Sequence, residues 1–263
     1  KQIKKYPTSS SSRHLTTLPY WISTGSNDNT SFWFNEHIGN RMAYFNTTSM
    51  TLTEFEVPTR NATNGYIANA LTLTVDPTNN NRVWFTEFNN DKIGMVNFSV
   101  PIWFDIEISP PSRELTLLIP EEAKQDERID AQQASQKQEQ QRSHNQQIQN
   151  ITIPVTLRYN LDNYSHDDNK EVHMDNIYKI ILLNASSSMS PSGKFVNMTA
   201  SFLPSPIIEF SKVQSNNNNK EVETNVELRL SSYSNTPKGN YTLGISGTDG
   251  KVTKTDYVDI VVK

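Results

Sequence analysis

The 263-residue sequence contains no cysteine, which excludes disulfide bonds, thiolate metal sites and cysteine nucleophiles. It also lacks any run approaching the roughly 20 apolar residues that cross a bilayer as a helix. A large excess of either charge is also absent, because 24 basic residues stand against 28 acidic ones, a net charge of −4. The composition therefore argues against nucleic acid as a partner and against a membrane span within this sequence.

Glycine is scarce, with 9 residues, and the glycine-containing catalytic signatures are missing. There is no G-x-S-x-G, no phosphate-binding glycine loop and no G-x-G-x-x-G, nor is there an H-E-x-x-H zinc motif. Residues 1–13 form a lead with basic residues and a serine run but without the apolar core of a secretory signal. The sequence predicts no cofactor.

An internal repeat is present in the first hundred residues. The segment FWFNEHIGNRMAYFN, from Phe32, aligns with VWFTEFNNDKIGMVN, from Val83, at a constant offset of 51 residues. The matched residues include Trp33 with Trp84, Phe34 with Phe85, Glu36 with Glu87 and Arg41 with Lys92. A repeat of this length indicates stacked supersecondary units.

Each copy is predicted to consist of short antiparallel strands. Apolar residues alternate in LPYWIST and NALTLTV, which precede the two copies, and Asn, Gly and Asp mark the turns. The first copy adds a fourth strand, LTEFEVP, which the second copy lacks. Four-stranded units of about 40 to 50 residues with an aromatic and acidic signature are typical of propeller blades.

The motif W-F-x-E followed by x-N-x-[IM]-[GA] resembles the blade motif of the virginiamycin B lyase-like (streptogramin lyase-like) propellers. The resemblance covers residues 14–100 and implies two blades, the last ones of a longer propeller because the second blade has no outer strand. Either the chain is a truncated product, or several chains complete the ring together. On this interpretation Trp84 and Phe85 pack between adjacent blades, and Glu87 holds the turn from Asn89 to Lys92.

A functional alternative for the repeated carboxylate is a metal ligand or general base at the central channel. The resemblance implies a P-H-G-I pattern for lyases, whereas this sequence reads Pro19-Tyr20-Trp21-Ile22 and has Tyr20 in place of the histidine. No catalytic residue is therefore assigned, and a divalent metal is expected only under the lyase alternative. The candidate ligand-binding residues are Tyr20, Trp21, Glu36, His37 and Glu87.

Residues 101–263 are predicted to form a second domain, a β-sandwich. Apolar residues alternate at Ile151, Ile153, Val155, Leu157 and Tyr159, at Val226, Leu228 and Leu230, and at Tyr241, Leu243 and Ile245. The S-P-x-S opening and the closing TPKGNYTLGISGT resemble the immunoglobulin-like repeats of bacterial and archaeal surface proteins. Tyr241 is expected either to bond to backbone in the manner of a tyrosine corner or to be an ordinary core tyrosine.

Two polar insertions interrupt this pattern. Residues 121–150 are rich in Gln, Glu and Lys and are predicted to be disordered, with a solvated helix or a coiled coil as alternatives. Residues 160–176 gather five carboxylates and two histidines, which predict a solvated acidic loop or, less simply, a calcium site.

Nine N-x-[ST] sequons are candidates for glycosylation, with an unmodified Asn-rich surface as the alternative. They lie at Asn29, Asn46, Asn61, Asn97, Asn150, Asn163, Asn184, Asn197 and Asn240.

The sequence as a whole predicts an all-β protein with a partial propeller followed by an immunoglobulin-like sandwich. The expected function is a non-catalytic binding or structural module of a secreted or cell-surface protein, with a glycan or protein ligand at the cell envelope. A purely structural version has the sandwich as a stalk and the blades as its cap. The alternative is part of a virginiamycin B lyase-like enzyme, a carbon-oxygen lyase or lactone hydrolase, whose active site lies mostly outside this chain.

Overall fold

The computed structural model of the chain describes residues 3–9, 17–24, 30–59, 68–79, 81–99, 102–109, 114–118, 149–159, 178–190, 194–211 and 222–263. All the regular secondary structure within these residues is β-strand, which confirms the all-β prediction. The strands are β1 (Pro19–Thr24), β2 (Ser31–Glu36), β3 (Arg41–Asn46), β4 (Thr51–Glu56), β5 (Ala70–Val75), β6 (Arg82–Glu87), β7 (Lys92–Asn97), β8 (Phe104–Ile108), β9 (Glu114–Leu117), β10 (Gln149–Tyr159), β11 (Tyr178–Ser187), β12 (Met198–Leu203), β13 (Ile207–Ser211), β14 (Val222–Ser232), β15 (Gly239–Thr248) and β16 (Val252–Val262).

The sequence repeat is also a repeat of the backbone. Strands β1 to β4 form an antiparallel meander, here called the first unit, and β5 to β7 form the second unit. In the first unit Pro19 pairs with Glu36, and the register shifts before Ile22 pairs with Phe34. Adding 51 to each number gives the pairs and the register shift of the second unit. The register of β2 with β3 recurs in β6 with β7 in the same way.

Two left-handed residues recur with the same spacing. Leu18 and Asn69 have φ angles of 50° each, and Asn40 and Asp91 have φ angles of 56° and 49°. Positive φ is uncommon outside glycine, and Asn and Asp tolerate it best. The residue before the first strand and the turn between the second and third strands are therefore built alike in both units.

The two units pack face to face. Trp33, Met42 and Val57 of the first unit share a buried cluster with Val83 and Phe85 of the second. Phe98, just after β7, adds ring contacts to Trp33, Tyr44 and Phe55. The prediction that Phe85 packs between units is confirmed.

The matching prediction for Trp84 is wrong. Its side chain is 39% exposed, and its Nε1 donates to Asp76 Oδ2 at 2.9 Å on the outer side of the second unit. Successive side chains of a strand point to opposite faces, so Trp84 and Phe85 cannot both face the first unit. Asp76 is the partner of this indole, and the hydrogen bonds from Thr78 and Trp84 lower the pKa of Asp76 to about 2.

The remaining strands form two layers around a second core. One layer has the order β16, β15, β11, β13, with β9 parallel to β16, and the other has the order β12, β14, β10, β8. The alternation predicted for β10 and β14 is confirmed, since Ile153, Val155, Leu157, Tyr159, Val226, Leu228 and Leu230 are buried in this core and Ile151 is half-buried against it. In β15, Leu243 and Ile245 are buried and Tyr241 is half-buried, but the residue between Leu243 and Ile245 is buried as well, so burial does not alternate there. The Tyr241 hydroxyl lies 3.3 Å from both Pro237 O and Lys238 O, so it donates to nearby backbone.

One sheet runs from the first unit into this two-layer part. β4 pairs antiparallel with β16, with Phe55 opposite Val252 and Leu52 opposite Thr255. Tyr257 of β16 packs on Phe45 of the first unit, and its hydroxyl donates to Pro7 O at 2.8 Å. The boundary predicted at residues 100 and 101 falls between β7 and β8, while the last strand of the chain returns to the first unit.

The two polar insertions lie outside the described residues, apart from Gln149 and Asn150 at the start of β10.

Candidate functional site

An open hollow of about 490 Å³ lies on the face of the first unit that points away from the second unit. Its floor is the side of β2 and β3 that carries Phe32, Phe34 and Phe45. Strand β1 forms one wall with Tyr20, Trp21 and Ile22. The other lining residues are Tyr6, Thr8, Pro19, Thr47, Met50, Leu52 and Tyr257. The lining is almost entirely apolar or aromatic and carries no charged side chain.

The wall of the hollow is exposed, whereas its floor is packed. Tyr20, Trp21 and Ile22 are all exposed, and Ile22 is 64% exposed. Phe34 and Phe45 are buried against Tyr257, and Tyr6 of the N-terminal lead stacks edge-on against Phe45. The hollow thus offers fixed aromatic rings below and accessible ones beside them, an arrangement suited to binding an apolar or aromatic group.

Trp21 and His37 are tied to the contact between the two units. Asn35 accepts a hydrogen bond from Trp21 N at 2.6 Å and donates through Nδ2 to Ala70 O in the second unit. His37 Nδ1 lies 3.1 Å from the same carbonyl, and a carbonyl only accepts, so Nδ1 carries the proton in this bond. The Tyr20 ring lies 5.8 Å from the His37 ring, centroid to centroid. Asn35 and His37 therefore join the units rather than face the hollow.

Glu36 is fully buried and forms a close acidic pair with Glu54 of β4. Arg41 Nη1 lies 3.8 Å from Glu54 Oε1, which also accepts a hydrogen bond from Ser9 N at 3.2 Å. Within the described part of the chain, neither oxygen of Glu36 accepts a hydrogen bond. One guanidinium therefore serves two buried carboxyl groups.

Burial raises the pKa of Glu36 well above its ordinary value of 4.5, and the neighbouring Glu54 charge raises it further. Burial also raises the pKa of Glu54, against the opposing charge of Arg41. The pKa of Tyr257 is raised well above its usual range by burial and by these two carboxyl groups. The arrangement favours a neutral Glu36 and a charged Glu54 paired with Arg41.

Glu87 occupies the matching place in the second unit but has other partners. Its Oε1 accepts a hydrogen bond from Thr59 Oγ1 at 3.1 Å, and its backbone carbonyl accepts from Asn90 N at 3.2 Å. The carboxylate thus fastens the segment after β4, while the backbone of Glu87 contacts the turn from Asn89 to Lys92.

The structure brings together only part of the predicted site. Tyr20 and Trp21 line the hollow, whereas Glu36, His37 and Glu87 are held in three separate environments. The floor residue Tyr257 and the partner Glu54 were missed by sequence reasoning. From the sequence, only the repeated Phe34 and Phe85 indicated that an aromatic floor is present. Tyr257 gave no such indication, because it comes from a strand about 200 residues away along the chain.

Among the described residues, no three or more His, Cys, Asp or Glu side chains are grouped so that they could hold a metal ion. The same residues contain no helix with the length and apolar character needed to cross a membrane.

Six of the nine sequons fall in described residues. Asn150, Asn184, Asn197 and Asn240 are exposed, and Asn46 and Asn97 are half-buried. Asn46 and Asn97, which the repeat relates, each accept a hydrogen bond from the backbone two residues ahead. Asn197 Nδ2, the atom that would carry a sugar, donates to Asn235 O at 3.0 Å.

Comparisons with known proteins identify no family. No family model matches the chain, and no curated protein matches it. Among solved structures, a family 123 glycoside hydrolase from Clostridium perfringens aligns with 13% identity over 44% of this chain and 21% of that chain, at a TM-score of 0.23. A likeness at this level shows neither a common fold nor a common activity.

Proposed function

We propose that the chain is a non-catalytic binding or structural module of a secreted or cell-surface protein. The observation that carries this proposal is the hollow, in which exposed aromatic side chains stand over a buried aromatic floor. Exposed apolar surface of this kind marks protein–protein contact sites and ligand-binding grooves. The resemblance to surface-protein sandwiches and the exposed sequons support the location outside the cell.

The polar groups near the hollow support a non-catalytic role. General acid–base chemistry needs a titratable group within hydrogen-bond reach of the substrate. Glu36 and Glu54 are fully buried, and His37, which bonds to Ala70 O, is not among the residues that line the hollow. Glu36 and Glu54 lie within the first unit and His37 joins the two units, while the side chains that reach the open hollow are aromatic, aliphatic or hydroxyl-bearing.

One observation favours the enzymatic alternative. The buried acidic pair lies beneath the same face as the hollow, next to Thr8 and Tyr257, which line it. A protonated carboxyl at the back of a pocket is a possible general acid, as a lyase or lactone hydrolase of the virginiamycin B lyase-like class would need.

An aryl lactone separates the two functions. We expect dihydrocoumarin to open no faster with the protein than in buffer alone, as followed by absorbance. Ring opening by the wild type that is lost in Glu36→Gln, with Glu56→Gln as the matched control, would overturn the non-catalytic proposal. Both variants replace a carboxyl in the first unit by an amide of the same shape.

A glycan array then tests the binding version against the purely structural one. Binding that disappears in Trp21→Ala but persists in Trp84→Ala would locate a sugar site at the hollow. Both substitutions remove an exposed indole, so the comparison isolates the position. An array without signal favours a structural role or a protein partner.

A further inference from the structure

The stack of two units has an open face at each end. At one end the hollow of the first unit exposes Ile22, and at the other end the second unit exposes Trp84, Ile93 and Met95. Apolar faces of sheets are normally covered by another layer. Both ends of this stack therefore present surface of the kind that is buried between the units.

The 51-residue repeat shows how closely the open face of the second unit matches a covered one. Trp33, Met42 and Tyr44 of the first unit contact the second unit, and their counterparts at the offset of 51 are Trp84, Ile93 and Met95. Trp33 is 2% exposed and Trp84 is 39% exposed. Met42 is fully buried, whereas Ile93 is 74% exposed. The second unit thus carries an indole and two aliphatic side chains in the arrangement that the first unit buries.

The hollow matches the opposite side of the same contact. Leu73, Val83 and Phe85 of the second unit pack onto the first unit. Their counterparts are Ile22, Phe32 and Phe34, which line the hollow. Leu73 is 6% exposed, against 64% for Ile22.

We propose that a second copy of this chain docks head to tail, with Trp84 of one copy entering the hollow of the next. The inference rests on the proposed function and names the partner of its binding surface. The occupant is a second copy because one chain carries both faces of the contact, the hollow and the open face of the second unit. The two faces match the faces that meet between the units, because β2 and β6 have the same register relative to their neighbours. Such a contact is heterologous, because two different faces meet in it. Each associated pair keeps one free face at either end, so further copies can add until a ring closes or a filament grows.

The contact between copies is weaker than the contact between units. Asn35 and His37 bond to Ala70 O within the chain, but Thr86 and Phe88 occupy their places in the second unit. Thr86 Oγ1 already pairs with Thr72 Oγ1 at 3.0 Å, and Phe88 has no polar side-chain atom. The N-terminal lead, through Tyr6, also covers the outer part of the first unit's face, near Phe45 and Tyr257. We therefore expect reversible, concentration-dependent association.

The experiment uses one substitution on each face. Trp84→Ser alters the second unit, Ile22→Glu alters the hollow, and Leu182→Ser, at an exposed leucine of β11, is the control. Sedimentation equilibrium of the wild type up to about 1 mM should show an average mass that rises above one chain. Each face variant should weaken association at least about tenfold, and Leu182→Ser should not.

An equimolar mixture of the two face variants provides the decisive result. In a head-to-tail contact each variant keeps one intact face, so the mixture should form a species of two chains although either variant alone remains a single chain. Urea unfolding midpoints equal to wild type confirm that both variants are folded, and Ile93→Glu replaces Trp84→Ser if the latter is not.

A wild type that remains a single chain at every concentration, or a mixture that does not associate, would overturn the docking proposal. The first result would assign the two faces to other occupants, and the second would indicate a symmetric contact. Neither result affects the lactone and glycan experiments, which test the binding-module proposal separately.

Discussion

At the residue scale, Glu36 and Glu87 show that one motif position can have two environments. Both follow the aromatic pair of the repeat, and both are buried. Glu36 lies beside Glu54 and Arg41, whereas Glu87 accepts a hydrogen bond from Thr59. The neighbours differ because β4 supplies Glu54 in the first unit, and the three described strands of the second unit include no counterpart.

The raised pKa of Glu36 predicts how stability depends on pH. Below its ordinary pKa of 4.5, Glu36 is protonated in both the folded and the unfolded chain. Above it, the unfolded chain releases the proton while the folded chain keeps it, so the free energy of unfolding falls until pH passes the folded pKa. Glu36→Gln cannot ionise and should lose less stability between about pH 5 and about pH 7.

Urea unfolding at these two pH values measures the difference. Glu56→Gln on the half-buried end of β4 is the control and should follow the wild type. If the free energy of unfolding of the wild type falls no more than that of Glu36→Gln over this range, the pKa of Glu36 is not raised in the folded protein.

At the element scale, the pairing of β4 with β16 couples parts of the chain that the sequence separates. Four residue pairs join the strands, and Tyr257 packs into the cluster of Phe34, Phe45 and Leu52. Unfolding the first unit therefore breaks the sheet that it shares with the two-layer part and exposes their common core. Both parts lose stability as a result.

This coupling predicts a single cooperative transition. Trp33 reports on the first unit, and Trp103, whose Nε1 donates to Asp249 Oδ2 at 2.7 Å, reports on the two-layer part. Variants that keep only one of these indoles, with the other tryptophans replaced by phenylalanine, should show equal urea midpoints by fluorescence. Far-UV circular dichroism provides the common reference for both, and two separate midpoints would show that the β4–β16 pairing does not couple them.

At the scale of the whole molecule, the chain is an open stack of two units joined edge to edge to a two-layer part. The exposed ends of the stack are apolar, and no charged side chain lines the described hollow. Association between copies is thus expected to depend on apolar burial rather than on ion pairs.

Salt separates these two driving forces. Raising NaCl from about 0.1 M to about 1 M shortens the Debye length from about 10 Å to about 3 Å, so contacts between exposed charges weaken. We expect the association constant of the wild type, measured by sedimentation, to stay within about threefold over this range. A tenfold or larger loss would identify a charged contact between copies.

The sequence by itself determined the 51-residue repeat and the strands with a clear alternation of apolar residues, whereas β11 and β13 were not predicted. Period-two patterns and turn residues act locally, so Ile153 or Leu228 can be assigned to a core without knowing its partner strand. Tyr20 and Trp21, which the sequence offered as ligand-binding residues, line the hollow, and their role in binding stays a prediction.

Only the tertiary structure decided which faces are covered and which remain open. Trp33 and Trp84 have the same local pattern, yet one is buried and the other exposed, because burial depends on whether another unit lies above the strand. The acidic pair joins Glu36 and Glu54 from two strands of the first unit, and the return of β16 to β4 joins residues about 200 positions apart. Contacts at such separations leave no local period, and only the folded chain brings them together.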